Sequence, residues 1–138
     1  MKKLSLMIAI GCLCLLSIAK PMDNVNQFET YTQQMKTLSE NYLQKKQFSN
    51  ANKTIDAWLN SYRTLTQEQQ QNIAKQYAAI LYNKACALTQ IDEKYQALKM
   101  LKEAVNAGFN DKTKAENEPN LTNLKQYDTF AKILNEIK

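Results

Sequence analysis

The side chains available for chemistry in this chain are few. None of the 138 residues is a histidine, so imidazole acid–base catalysis, His-activated nucleophiles and His-built metal sites are excluded. Cysteine occurs at Cys12, Cys14 and Cys86, too few for the several ligands a zinc site needs once an N-terminal leader is removed. Cys86 stands between Ala85 and Ala87, deep in a helical stretch and away from the cation or helix start that generates a thiolate, so it reads as an inert packing residue. Glu116 and Glu118 flank a loop proline, Pro119, and read as solvated carboxylates rather than an acid–base pair. Phosphate-loop, dinucleotide-binding and serine-nucleophile motifs do not occur, and no cofactor is expected. What remains is recognition chemistry.

The first twenty residues belong to targeting rather than to the fold. Lys2 and Lys3 precede the apolar run Leu4 to Ala19, and Ser17 and Ala19 stand at the −3 and −1 positions of a small-residue cleavage site. We expect a signal peptide over residues 1–19, cut after Ala19, and an exported protein, periplasmic or secreted. A lipid anchor at Cys12, preceded by Gly11, is the alternative. Removal of the leader leaves residues 20–138 as a single domain in which Cys86 is the lone cysteine, so no internal disulfide can form even though export would permit one. Two lysines leave with the leader, which lowers the net charge from +5 to +3. The remaining lysines are scattered among acids and Arg63 is the single arginine, a solvated surface and not a nucleic-acid face. No membrane contact is expected after leader removal.

The elements that must position any recognition surface are helices. Beyond the leader there is one glycine, Gly108, and prolines only at positions 21 and 119, too few for the turns of a sheet protein. Apolar residues recur every three to four positions. Val25, Phe28, Tyr31, Met35, Leu38 and Tyr42 predict a helix over residues 24–46, and Ala51, Ile55, Trp58, Leu59 and Tyr62 predict a second over 50–62. In that spacing Trp58 is a core residue. Thr66 is placed to cap a third helix over 67–90, and a fourth over 93–107 ends at Gly108, where a left-handed closing residue is wanted. Residues 109–127 lose the pattern, and a last amphipathic helix begins near Asp128 with Phe130, Ile133, Leu134 and Ile137 on one face.

Ala85, Ala97 and Ala104 occupy the small positions 8, 20 and 27 of the 34-residue tetratricopeptide unit, where two helices cross closely and a large side chain would force them apart. Leu81, Leu88, Leu98 and Leu101 take the flanking apolar positions. The earlier pair resembles the same unit more weakly, with Ser39, Ala51 and Trp58 at the three sites and an offset of 46 residues from Ser39 to Ala85. The stretch Tyr82 to Phe109, followed by Pro119, Leu121, Leu124 and Phe130, resembles the bacterial variety of repeat ending with a Gly-Phe turn and a P-x-L-x-x-L segment. The resemblance implies an all-α fold: a degenerate first helix pair over 27–62, a second pair over 67–108 and a capping segment over 109–138.

It also implies a function. Repeats of this family bind proteins or peptides in a groove lined by their first helices, without catalysis. Carried onto this chain, the groove consists of Ala79, Tyr82, Asn83, Cys86, Thr89 and Gln90 from the second pair, and Gln33, Lys36, Thr37, Glu40, Leu43 and Gln44 from the first. Within it the resemblance makes Tyr82 and Asn83 the best candidates, since an aromatic ring offers contact area and an amide pairs with peptide backbone. Some relatives clamp a terminal carboxylate with lysine and asparagine there. Lys36 and Asn83 fit that role, but Glu40 would repel such a ligand. The competing class is a small enzyme or envelope enzyme subunit working through carboxylates and lysines.

Overall fold

A computed structural model describes residues 25–138. The leader, the cleavage point after Ala19 and the lipidation candidate Cys12 lie outside the described residues. Among the described residues seven α-helices follow in order: α1 Val25–Gln44, α2 Phe48–Tyr62, α3 Gln67–Asn72, α4 Ala74–Gln90, α5 Lys94–Asn106, α6 Lys112–Asn117 and α7 Asp128–Asn135, with a 3₁₀ segment Pro119–Leu124 before α7. No strand occurs among them, and the fold is all-α.

Three helices end in the same way. Lys46 (φ 56°), Asp92 (φ 68°) and Gly108 (φ 102°) take left-handed backbone just past α1, α4 and α5. The N–H of the next residue then reaches back to a carbonyl in the last turn: Gln47 to Tyr42 (2.8 Å), Glu93 to Leu88 (2.9 Å) and Phe109 to Ala104 (2.9 Å). This closure satisfies carbonyls that the helix end would otherwise leave free. Only the third carries a glycine; at the other two the stabilisation must exceed the steric cost of a side chain in that region.

The third helix expected over 67–90 is broken. Thr66 caps α3 as anticipated, its Oγ1 accepting from Gln69 N (3.3 Å) while Gln69 Oε1 accepts from Thr66 N (2.9 Å), a reciprocal capping box. At Ile73 the backbone leaves the helix (φ −114°, ψ 17°). The break has a packing consequence: Ile73 is buried, whereas α3 contributes no buried residue. The glutamine-rich turn stays in water, and α4 restarts with its own face.

α4 is the centre of the molecule. Every residue from Ile80 to Thr89 is buried, because α4 packs against α5, α2, α1 and the 3₁₀ segment at once. Ala85, Ala97 and Ala104 are fully buried at the α4–α5 contact, as is Ala51 in α2. In the first pair Trp58 takes the room an alanine would leave. It is also fully buried, with its Nε1 donating to Thr32 Oγ1 (3.0 Å). A Trp N–H needs such a partner in a core.

Residues 109–127, read from sequence as loose, are ordered by side-chain caps. Asp111 Oδ1 accepts from Lys114 N (2.8 Å) to start α6, and Glu118 Oε1 accepts from Asn120 N (3.0 Å) to start the 3₁₀ segment. Ala115, Leu121 and Leu124 are fully buried; the 3₁₀ segment packs onto α4, and α6 packs onto α7. α7 begins at Asp128 as expected and buries Phe130, Ile133 and Leu134. No helix among the described residues is long and apolar enough to cross a membrane.

Candidate functional site

The groove expected around Tyr82 and Asn83 is filled by the chain itself. Tyr82 is 2% exposed. Its ring stacks on Phe109 (centroids 4.4 Å apart, planes 9° off parallel), Lys114 Nζ lies over the ring at 5.1 Å, and its hydroxyl donates to Glu118 Oε2 (3.4 Å). All three partners come from the segment after α5. Tyr82 is therefore the anchor of the C-terminal segment and not a free contact surface. Burial, with the Cys86 thiol and Glu118 beside it, pushes its phenol far above the ordinary range, so the hydroxyl remains a donor.

Asn83 is 5% exposed and donates from Nδ2 to Ser39 Oγ (3.3 Å), joining α4 to α1. Ser39 in turn donates to Lys36 O (2.8 Å). This pairing explains why a polar residue fits at each site: each satisfies the other in a dry contact. Cys86 is buried, and burial raises its thiol well above the usual value, with Glu118 adding to the rise. The expectation of an inert packing thiol agrees with that environment. Thr89 is buried and bonded to Ala85 O (2.8 Å). Gln90 is half-buried and donates from Nε2 to Asn120 O (2.9 Å), a second clasp on the C-terminal segment.

Of the first-pair candidates, Leu43 is buried while Gln33, Thr37 and Gln44 are exposed. Lys36 and Glu40 are half-buried and paired with each other at 2.8 Å. Their charges are balanced within one helix turn, and the carboxylate that would repel an anionic ligand is neutralised from the adjacent turn.

Sequence reasoning missed Lys84. Its residue is 8% exposed, and Nζ donates to Asn52 Oδ1 (2.7 Å) and Asp56 Oδ1 (2.6 Å), joining α4 to α2. The signal that could have found it is position: Lys84 lies directly between Asn83 and Ala85, inside a run too apolar to spare a solvated lysine. Asn52 and Asn120 are also engaged, Asn52 by Lys84 and Asn120 Nδ2 by Glu118 Oε1 (2.8 Å).

Open concavities among the described residues include two on different sides of the fold. One, of about 510 Å³, lies where the Gly108 turn meets the end of α7, between Val105, Phe109, Asn110 and Asn135. The other, of about 400 Å³, lies on the outer face of α1. Among the described residues no group of three or more His, Cys, Asp or Glu side chains gathers in a metal-binding arrangement. No protein-family model, curated protein or solved structure matches the chain.

Proposed function

We propose that this chain is an exported, non-enzymatic interaction module, built as a short tetratricopeptide-like stack and holding a protein or peptide partner along the α1 flank marked by Lys36 and Glu40. The observation that supports the reading is a 46-residue recurrence of backbone turns and buried positions. The left-handed turns at Lys46 and Asp92, with their matching backbone closures, are 46 residues apart. The same offset relates Ser39 to Ala85, Ala51 to Ala97 and Trp58 to Ala104, all six of them fully buried. A repeat covered at one end by its own C-terminal segment makes a rigid support with no sheltered reaction chamber. The side of α4 that relatives use for ligands is occupied by Phe109, Lys114 and Glu118, which leaves α1 as the accessible first helix.

The test is affinity capture from the organism's own envelope and medium fractions, comparing the wild-type chain with a Lys36→Ala, Glu40→Ala variant. Loss of a specific partner with unchanged circular dichroism supports the flank. A variant that keeps every partner removes it, and turnover in a substrate screen without any partner removes the module itself. Export rests on Lys2, Lys3 and the run to Ala19; mass spectrometry should find a chain beginning at Lys20, and a lipid-modified Cys12 would place the protein on a membrane surface instead.

A further inference from the structure

The outer face of α1 carries a knob and a hole on the same helix. The knob is Leu38, 40% exposed and one of only two large apolar side chains left in the open among the described residues. The hole lies one turn earlier. Thr30, Gln33, Gln34 and Thr37 stand at i, i+3, i+4 and i+7, the four corners into which a facing helix inserts a side chain. These residues, with Leu38 and Asn41, line the concavity of about 400 Å³.

The face is also uncharged, in a chain of which 22% of residues are charged. The charged residues of α1 are Glu29, Lys36 and Glu40, none of which lines the concavity. An ionic partner would find nothing to pair with there, whereas a second copy of this basic chain would meet no like charge.

We infer that this face pairs with the same face of a second copy, α1 against α1 in antiparallel. A two-fold axis crossing α1 near Lys36 puts Gln34 opposite Leu38 of the second copy. Each Leu38 then enters the hole of the other, and Thr30 faces Asn41. Contacts of this kind are reciprocal, as a closed two-fold interface requires. The carboxamides and hydroxyls on the rim are uncharged donors and acceptors that bond to one another across the axis. The pairing joins two stacks at the ends opposite their C-terminal segments and leaves the Lys36–Glu40 flank outside the contact.

Sedimentation equilibrium of the full exported chain, carried to about 1 mM, reads the association directly. The wild type should be a reversible dimer. Leu38→Lys should weaken it by at least about tenfold, with circular dichroism and melting unchanged because Leu38 is not a core residue. Two further variants test the register: Gln34→Glu with Leu38→Glu, and Gln34→Lys with Leu38→Lys. Each alone should be monomeric, since like charges then face each other, and an equimolar mixture should dimerise. A wild type that stays monomeric at the highest concentration overturns the inference, including the case in which nuclear Overhauser contacts show Leu38 covered by residues preceding α1. Dimerisation unaffected by Leu38→Lys, or a mixture that stays monomeric, overturns it equally.

Discussion

Replacing Tyr82 separates a latch from a recognition surface. In the latch, Tyr82→Ala removes a ring that is 2% exposed, together with its stack on Phe109 and the ammonium of Lys114 over its face. Truncations of buried aromatics cost about 3–5 kcal/mol, a large share of the roughly 5–15 kcal/mol that holds a domain together. Tyr82→Phe keeps the ring and loses the hydroxyl's contacts to Glu118, which at 3.4 Å is long, and to the Cys86 thiol, a weak partner, so its cost should stay at or below about 1 kcal/mol. Lys114→Ala, changed at an exposed residue, should cost about 0.5–1 kcal/mol through the ring contact. Urea denaturation followed by circular dichroism should therefore place Tyr82→Ala far below both Tyr82→Phe and Lys114→Ala in stability. If Tyr82→Ala kept the wild-type urea midpoint yet lost a binding partner, the ring would be facing solvent and the latch reasoning would fail.

Further outcomes follow from the same contacts. Ala97→Trp should lower stability by about 1–3 kcal/mol or more through overpacking, because Ala97 is fully buried in α5; an unchanged urea midpoint would mean that the helices do not cross closely there. Gly108→Ala should cost about 1–2 kcal/mol from the positive φ alone, since a Cβ there would meet no atom within 4 Å, and a calorimetric loss well above that range would point to a clash instead. Cys86 should resist alkylation in native buffer and react at the rate of global unfolding, measured by mass spectrometry over a urea series; rapid native labelling would show the thiol to be accessible. Burial raises the phenols of Tyr62, Tyr77 and Tyr82 above their ordinary value of 10.0. The unfolded chain then releases these protons first, so the stability they contribute is complete below pH 10.0 and falls as pH rises past it. Melting temperature against pH should show that alkaline decline, and Tyr82→Phe should shallow it; an identical slope would count against the buried phenol.

The sequence by itself determined the helices and most of their ends. Apolar residues at three- and four-residue spacing located α1, α2, α4, α5 and α7, because one buried stripe per helix is a local pattern. Thr66 and Gly108 announced a cap and a closure because capping involves only neighbouring residues. The alanines marked close crossings because no larger side chain fits between helices at that distance. What only the tertiary structure decided is which polar residues lose their water. Tyr82, Asn83 and Lys84 are consecutive, and nothing in the spacing names the partner of any of them. Each is buried by a different partner: the segment after α5 for Tyr82, Ser39 of α1 for Asn83, and Asn52 with Asp56 of α2 for Lys84. Those partners lie 27 to 44 positions away, beyond the reach of any periodicity. The same holds for residues 109–124, which follow no helical period because Leu121 and Leu124 are placed to fit the side of α4, and Ala115 is buried on a short helix packed against α7, rather than forming one stripe. A helix enclosed on every side gives its polar residues partners in three dimensions, and sequence spacing carries no record of them.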